Sequence, residues 1–209
     1  MTLKFTRPAI ALAIALSLAG CGGKASFPVN GTVTGQVYSP MVLSTNGMDL
    51  TVNAPAAATA TTTANFSFPN SLSYGDVYNV TIANPPHQTC VVTSGGADTA
   101  GRLAAINVTV GCALTTLSIG GTIKGLTGTG SLVLTNGSAG GTVTAIPDPT
   151  TPGADVPFTF ATLVQYGASY GVTVLTQPDS ENCSVSQEGI GVMGDAAVAN
   201  IVVTCVPKT

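Results

Sequence analysis

Cysteine carries most of the reactive potential of this chain. Of the five cysteines, Cys90 and Cys112 lie 22 positions apart, and so do Cys183 and Cys205. Cys21 stands alone near the start. A repeated interval points to one arrangement used twice. Glycines at both midpoints, Gly101 and Gly194, suit the turning region of a long antiparallel hairpin. Such a hairpin sets each pair of cysteines opposite one another, within disulfide range. Four cysteines allow three connectivities; the hairpin favours Cys90 with Cys112 and Cys183 with Cys205. Closing a loop of about 22 residues stabilises each unit by roughly 3 kcal/mol. Metal ligation is the rival chemistry, but no Cys-x-x-Cys occurs and the chain has one histidine, His87. No metal and no cofactor are expected.

Other chemistry finds little support. His87 sits in "NPPHQ", a loop-like stretch that suits the surface, and a Ser-His-Asp or Cys-His mechanism needs a histidine held on an orienting scaffold. No catalytic residue is assigned. "GLTGTG" at 125–130 lacks the Lys-Ser/Thr of a phosphate loop and precedes a strand, so a hairpin turn is expected. Asp148, Asp155, Asp179 and Glu181 fall in loops and offer Ca²⁺-type oxygen ligands, although scattered surface acids are the default reading.

The elements that position the cysteines follow from a repeat. "NGTVTGQVYSPMVLSTNG" lies over "GGTIKGLTGTGSLVLTNG", and "FSFPNSLSYGDVYNVTI" over "FTFATLVQYGASYGVTV". This alignment pairs Gly31 with Gly121, Asn46-Gly47 with Asn136-Gly137, Phe66 and Phe68 with Phe158 and Phe160, and Tyr74-Gly75 with Tyr166-Gly167. Within each copy apolar residues alternate: Val29, Gly31 and Val33 share a face, as do Phe66 and Phe68. Each Asn-Gly predicts a tight hairpin. Pro85-Pro86 and Pro178 interrupt the chain before the last strands. Six or seven short strands in about 85 residues describe a β-sandwich. The expected organisation is all-β: a first sandwich over 29–112, a linker at 113–116 and a second sandwich over 117–206.

The odd cysteine ends a different kind of segment. Lys4 and Arg7 precede the apolar run "PAIALAIALSLAG", which is short for a membrane span and reads as an export signal helix over 1–20. Leu18-Ala19-Gly20-Cys21 resembles the lipobox of bacterial lipoproteins. That resemblance implies cleavage between Gly20 and Cys21 and acylation of Cys21 on its sulfur and amine. Two or more acyl chains give stable anchoring, each buried CH₂ contributing about 0.8 kcal/mol. Gly22, in place of the Asp that retains enteric lipoproteins in the inner membrane, implies the outer membrane. Residues 21–28 then form a lipidated tether, and "GGKASFP" spans at most about 25 Å at roughly 3.5 Å per residue. Cleavage leaves Lys24, Arg102, Lys124 and Lys208 against nine acidic residues, a net charge of −5 without a basic cluster. Nucleic acid is excluded as a partner on that balance.

The pattern G-T-V-x-G followed by F-x-F-x-x-x-L-x-x-G-x-x-Y-x-V resembles the tandem Ig-like, prealbumin-like Cna-B repeats of bacterial surface proteins. The resemblance implies two Ig-like sandwiches at the cell envelope with structural, adhesive or assembly roles, no catalysis, and another envelope protein as partner. It also raises a Lys–Asn isopeptide bond between Lys124 and Asn200, against which a solvated lysine on an edge strand is the simpler expectation. The alternative function is glycan or small-ligand binding through loops at one end of a sandwich, such as "AAATATTTA".

Overall fold

The computed structural model describes residues 25–137 and 139–209. The expected signal helix, the cleavage site at Gly20 and Cys21, and Cys21 itself lie outside the described residues. Among the described residues the regular structure is strand, apart from one turn of 3-10 helix at Gln187–Gly189. No helix among the described residues is long and apolar enough to cross a membrane.

The first group of strands runs β1 (Ser26–Phe27), β2 (Val29–Thr34), β3 (Met41–Thr45), β4 (Met48–Val52), β5 (Thr63–Ser67) and β6 (Leu72–Ser73). It continues with β7 (Val77–Asn79), β8 (Thr81–Ala83), β9 (Gln88–Ser94), β10 (Ala97–Thr99) and β11 (Ile106–Leu114). The second group begins with β12 (Thr116–Leu117), β13 (Ile119–Lys124), β14 (Leu132–Asn136), β15 (Thr142–Ala145) and β16 (Val156–Thr159). It ends with β17 (Val164–Gln165), β18 (Ser169–Thr176), β19 (Glu181–Val185), β20 (Ile190–Val192) and β21 (Val198–Pro207).

Each group builds two facing sheets. One has the order β5-β2-β11-β9 in the first group and β16-β13-β21-β19 in the second. The other is β4-β3-β8 in the first and β15-β14-β18-β20 in the second. In both, the long first strand pairs in parallel with the last, β2 with β11 and β13 with β21. Buried side chains fall into two clusters. One draws on Val29, Val33, Met41, Leu43, Phe66, Phe68, Ile106 and Val110, the other on Ile119, Ile123, Leu132, Leu134, Phe158, Phe160, Ile201 and Val203. The two phenylalanines of each group do share a face and meet edge-on, with ring centroids 6.1 Å apart in both pairs. That contact adds to the burial of the rings themselves. Gly31 and Gly121 have to be glycine. A Cβ at Gly31 would strike the Val108 carbonyl and the Phe66 ring, and one at Gly121 the Ile201 carbonyl.

The cysteines pair as expected, Cys90 with Cys112 and Cys183 with Cys205. Each is a directly opposed antiparallel pair, between β9 and β11 and between β19 and β21. The Cys90 and Cys183 amides are spoken for elsewhere, by Asn84 Oδ1 and Gln177 Oε1, so each disulfide joins a non-hydrogen-bonded pair, where side chains approach most closely. The connections between these strands differ from a single hairpin. β10 intervenes and pairs with β7 in the first group, and β20 intervenes and pairs with β18 in the second. Gly101 does carry a positive φ of 97°, whereas Gly194 is not among the positive-φ glycines.

Three further expectations are corrected. Asn46-Gly47 makes the tight β3–β4 turn, both residues having positive φ, 47° and 72°. Asn136-Gly137 does not. By inward face, Met41, Leu43 and Thr45 correspond to Leu132, Leu134 and Asn136, so Asn136 takes the place of Thr45. The sequence alignment was one residue out of register here, and a slip of one turns an outward residue inward. Asn136 is fully buried and its Oδ1 accepts from the Gly171 amide at 2.9 Å. The turn glycines are instead Gly140 and Gly141. "GLTGTG" links β13 and β14 of different sheets, and is therefore an arch between layers and not a hairpin turn. Finally, residues 26 and 27 of the expected tether are strand, with Ser26 opposite Ser73 and Phe27 opposite Leu72.

Candidate functional site: the junction between the two cores

The segment expected to link two sandwiches is taken up in pairing. Ala113 and Leu114 continue β11 opposite Thr89 and Gln88, and Thr116 opens β12 opposite Gln165. Thr115, between them, donates its amide to the His87 carbonyl at 2.9 Å and accepts from the Tyr166 amide at 2.8 Å. One residue thus ties loops of both groups, and brings His87 and Tyr166 together.

Their side chains complete the contact. The His87 imidazole lies flat on the Tyr166 ring, 3.9 Å between centroids and 8° from parallel. Tyr38 meets both edge-on, at 4.9 Å from His87 and 5.8 Å from Tyr166. His87 Nδ1 is 2.6 Å from Asp195 Oδ1. His87 itself occupies the left-handed region, φ 63°, just after Pro85-Pro86.

Buried polar side chains hold this loop pair in place. Gln88 Oε1 accepts from the Val37 and Tyr38 amides at 2.7 and 2.8 Å, and its Nε2 donates to the Gly35 carbonyl at 2.8 Å. Gln36 Nε2 donates to the carbonyls of Tyr38 and Val52. The loop carrying Tyr38 is thereby fixed to the strand that follows His87. At the far end of the second group Glu181 does the same task. Its Oε1 accepts from the amides of Thr127 and Gly128 at 2.8 and 3.0 Å. Glu181 is 1% exposed, and its Oε2 has no hydrogen-bond partner among the described residues. By these bonds Tyr38 corresponds to Gly128 and His87 to Ser180.

The junction has the ingredients of a His–Asp dyad without a nucleophile. Among the described residues the imidazole makes one side-chain hydrogen bond, to Asp195, while Tyr166 stacks on one face, Tyr38 meets it edge-on and a quarter of the side chain stays exposed. What the arrangement does physically is stack, pair and restrict. The expected loop acids do not converge, and Glu181 is not one of them, being the buried first residue of β19 that holds the Thr127–Gly128 backbone; Asp148 accepts from the Thr150 hydroxyl and amide, and Asp155 faces Lys124 Nζ at 3.3 Å. Hydrogen bonding from Thr150, side chain first, holds the exposed Asp148 carboxyl below its ordinary range. Glu181, Cys183 and Cys205 are the one His/Cys/Asp/Glu grouping with convergent atoms among the described residues, and both sulfurs are in the disulfide. Lys124 ends an internal strand, not an edge, and its neighbour across β21 is Thr204; Asn200 lies farther along that strand, beyond Ile201, the partner of Gly121. A Lys124–Asn200 bond is therefore out of register.

Sequence reasoning assigned His87 to a surface loop and did not bring Tyr38, Tyr166 or Asp195 to it. The available signal was position: His87 directly precedes β9, whose first residue pairs with the last residue of β11.

No known protein family matches the sequence, and no curated protein does. Among solved structures, the major pilin protein T-13 of Streptococcus pyogenes is similar at a TM-score of 0.32 and 11% identity, over 89% of this chain and 98% of that one. The major pilin protein T3.2 of the same organism gives 0.31 and 12%, over 88% and 98%. A further major pilin of Streptococcus pyogenes gives 0.28 and 15%, over 88% and 98%. Superpositions this loose carry no argument about what this chain binds or builds. The all-β sandwich architecture rests on the strand pairing and cores described above.

Proposed function

We propose that this chain is a lipid-anchored cell-envelope protein that holds two copies of one Ig-like sandwich module, 29–112 and 117–206, as a stiff pair for structural or assembly contacts, without catalysis. The observation that carries the reading is the junction. His87, Tyr38, Tyr166 and Asp195 are committed to one another, and Thr115 is bonded on both sides. The histidine is spent on ring stacking and on its pair with Asp195, and Asp195 faces solvent. The matching order of the disulfide-bearing sheets, β5-β2-β11-β9 and β16-β13-β21-β19, and the matching disulfides support duplication of one unit. The anchor rests on Leu18-Ala19-Gly20-Cys21, the outer-membrane location on Gly22, and an envelope partner on the resemblance of the repeats to Cna-B modules.

The test has two arms. Palmitate labelling of the wild type and of Cys21→Ser in a bacterial host is expected to show label in the first and none in the second; retained label overturns the anchor. In-cell crosslinking of the lipidated protein is expected to give a defined heteromeric adduct in the envelope. Glycan-array binding without such an adduct would favour the ligand-binding alternative. Against that alternative, the Thr-rich loop spends its hydroxyls internally: Thr59, Thr61 and Thr62 bond one another and the Thr59 amide.

A further inference from the structure

We propose that the end of the first module nearest Cys21 is a seat on the bilayer surface, with Tyr74, Phe27 and Leu103 resting among the lipid headgroups. The inference rests on the lipid-anchor reading and adds to it a face and an orientation.

The place is set by the chain path. Ser26 and Phe27 pair with β6, and the Ala25 carbonyl accepts from the Tyr74 amide at 3.0 Å. The chain therefore leaves for Cys21 beside Tyr74. Four residue steps from Ala25 to Cys21 reach at most about 14 Å at roughly 3.5 Å each. An acylated Cys21 must hold this edge close to the membrane.

The edge has the composition such a position requires. Tyr74 is 71% exposed and Leu103 65%. The Tyr74 ring stands 6.5 Å from that of Phe27, and both lie against Gly101, where any side chain would displace the tyrosine. Tyrosine combines an apolar body with a polar tip and suits the headgroup layer. Arg102, adjoining Leu103, is exposed and pairs with Asp98 at 3.2 Å, so its charge is offset within the module while its stem can lie on apolar surface.

The second module supplies the control. There the Gly167 amide donates to the Met193 carbonyl as the Gly75 amide donates to that of Ala100. Tyr166 thus stands for Tyr74, and Asp195-Ala196 for Arg102-Leu103. In the second module this edge is covered by Tyr38 and His87 of the first. In the first module Arg102-Leu103 stands in place of Asp195-Ala196, but Asp98 pairs with Arg102 and Asp76 stands where the second module has Ala168, so what this edge gains is the apolar Leu103 and not positive charge. A second copy of the chain is the less favoured occupant. The rings that cover Tyr166 have Gly128 and Ser180 as their counterparts at the far end, so a copy stacked head to tail brings no ring to Tyr74.

The chain has no tryptophan, so Tyr74→Trp introduces a single reporter. The lipidated full-length variant is reconstituted in phosphatidylethanolamine/phosphatidylglycerol vesicles with and without brominated acyl chains, after mass analysis of the N-terminal peptide. Loss of acylation at Cys21 in that analysis sinks the anchor reading itself. With acylation intact, the expected result is a blue-shifted emission that bromine quenches, and loss of both when Leu103→Asp is added. Acylated protein whose emission is water-like and unquenched overturns the seat alone. So does a blue shift that grows with protein density and ignores bromine, which would place a second copy on the edge. Tyr166→Trp is the control for the covered edge, expected to be blue-shifted yet unquenched.

Discussion

The His87 imidazole and the Tyr166 ring are stacked face to face across the junction, with Thr115 hydrogen-bonded to the backbone of both residues. Aromatic pairs of this kind contribute about 0.5–1.5 kcal/mol beyond the area they bury. A double-mutant cycle of His87→Ala and Tyr166→Ala, followed by urea unfolding, is expected to return a coupling in that range. The single variants should also loosen the two modules from one another, read as divergent rotational correlation times by NMR relaxation. Strict additivity with unchanged relaxation would mean that the stack is incidental to the junction.

Glu181 and Gln88 occupy corresponding places, and only Gln88 uses both ends of its side chain. Glu181 Oε2 is buried without a partner among the described residues. An unsatisfied buried polar atom costs about 1–3 kcal/mol, more when charged. Glu181→Gln supplies an amide donor there and is expected to raise stability by roughly 1 kcal/mol at neutral pH. Glu181→Ala strands the Thr127 and Gly128 amides and should lower it by a comparable or larger amount. Chemical denaturation monitored by far-ultraviolet circular dichroism measures both. A Gln variant less stable than the parent would count against this account.

The two disulfides lie in separate cores. Replacing Cys90 and Cys112 together by serine should cost roughly 3 kcal/mol in the first module, from the lost loop constraint. Scanning calorimetry is expected to show the first module's transition move down and the second's stay. A joint shift of the whole endotherm would show that the cores unfold as one unit.

Tyr78 is buried, and Asp98 stands directly opposite it across the β7–β10 ladder. Burial first, and the negative charge of Asp98 second, push its phenol above the ordinary value of 10.0. The unfolded chain thus releases this proton at lower pH than the folded one. Stability from this source is intact below about pH 10, the ordinary tyrosine value, and declines as pH rises beyond it. Tyr78→Phe should flatten that alkaline decline, and Asp98→Asn should lessen it. Denaturation midpoints across the alkaline range provide the measurement.

The alternation of Val29, Gly31 and Val33, the Phe-x-Phe pairs and the equal cysteine intervals were legible in the sequence because each is local or repeats a strict period. Register was less legible. Asn136-Gly137 matches Asn46-Gly47 letter for letter, yet one added residue in the preceding arch moved Asn136 inward, and the amide found a backbone partner there. The junction was not legible at all. Tyr38, His87, Tyr166 and Asp195 come from four separate loops, and no periodicity relates them. Even the repeat misled, since Tyr74 and Tyr166 match in sequence while one is exposed and the other is stacked on His87.

The parallel pairing of β2 with β11 has a mechanical consequence. Tension applied between the two ends of the first module loads β2 at Val29 and β11 at Leu114, so it slides the two strands along each other. The ladder's bonds must then give way together instead of one at a time, and beyond them the Cys90–Cys112 crosslink limits how much chain can pay out. A pulling force meets in β13 and β21 the same geometry a second time. Rupture under load is governed by the unfolding rate and not by equilibrium stability, so the chain is expected to outlast stretching far better than its modest aromatic content and small cores suggest.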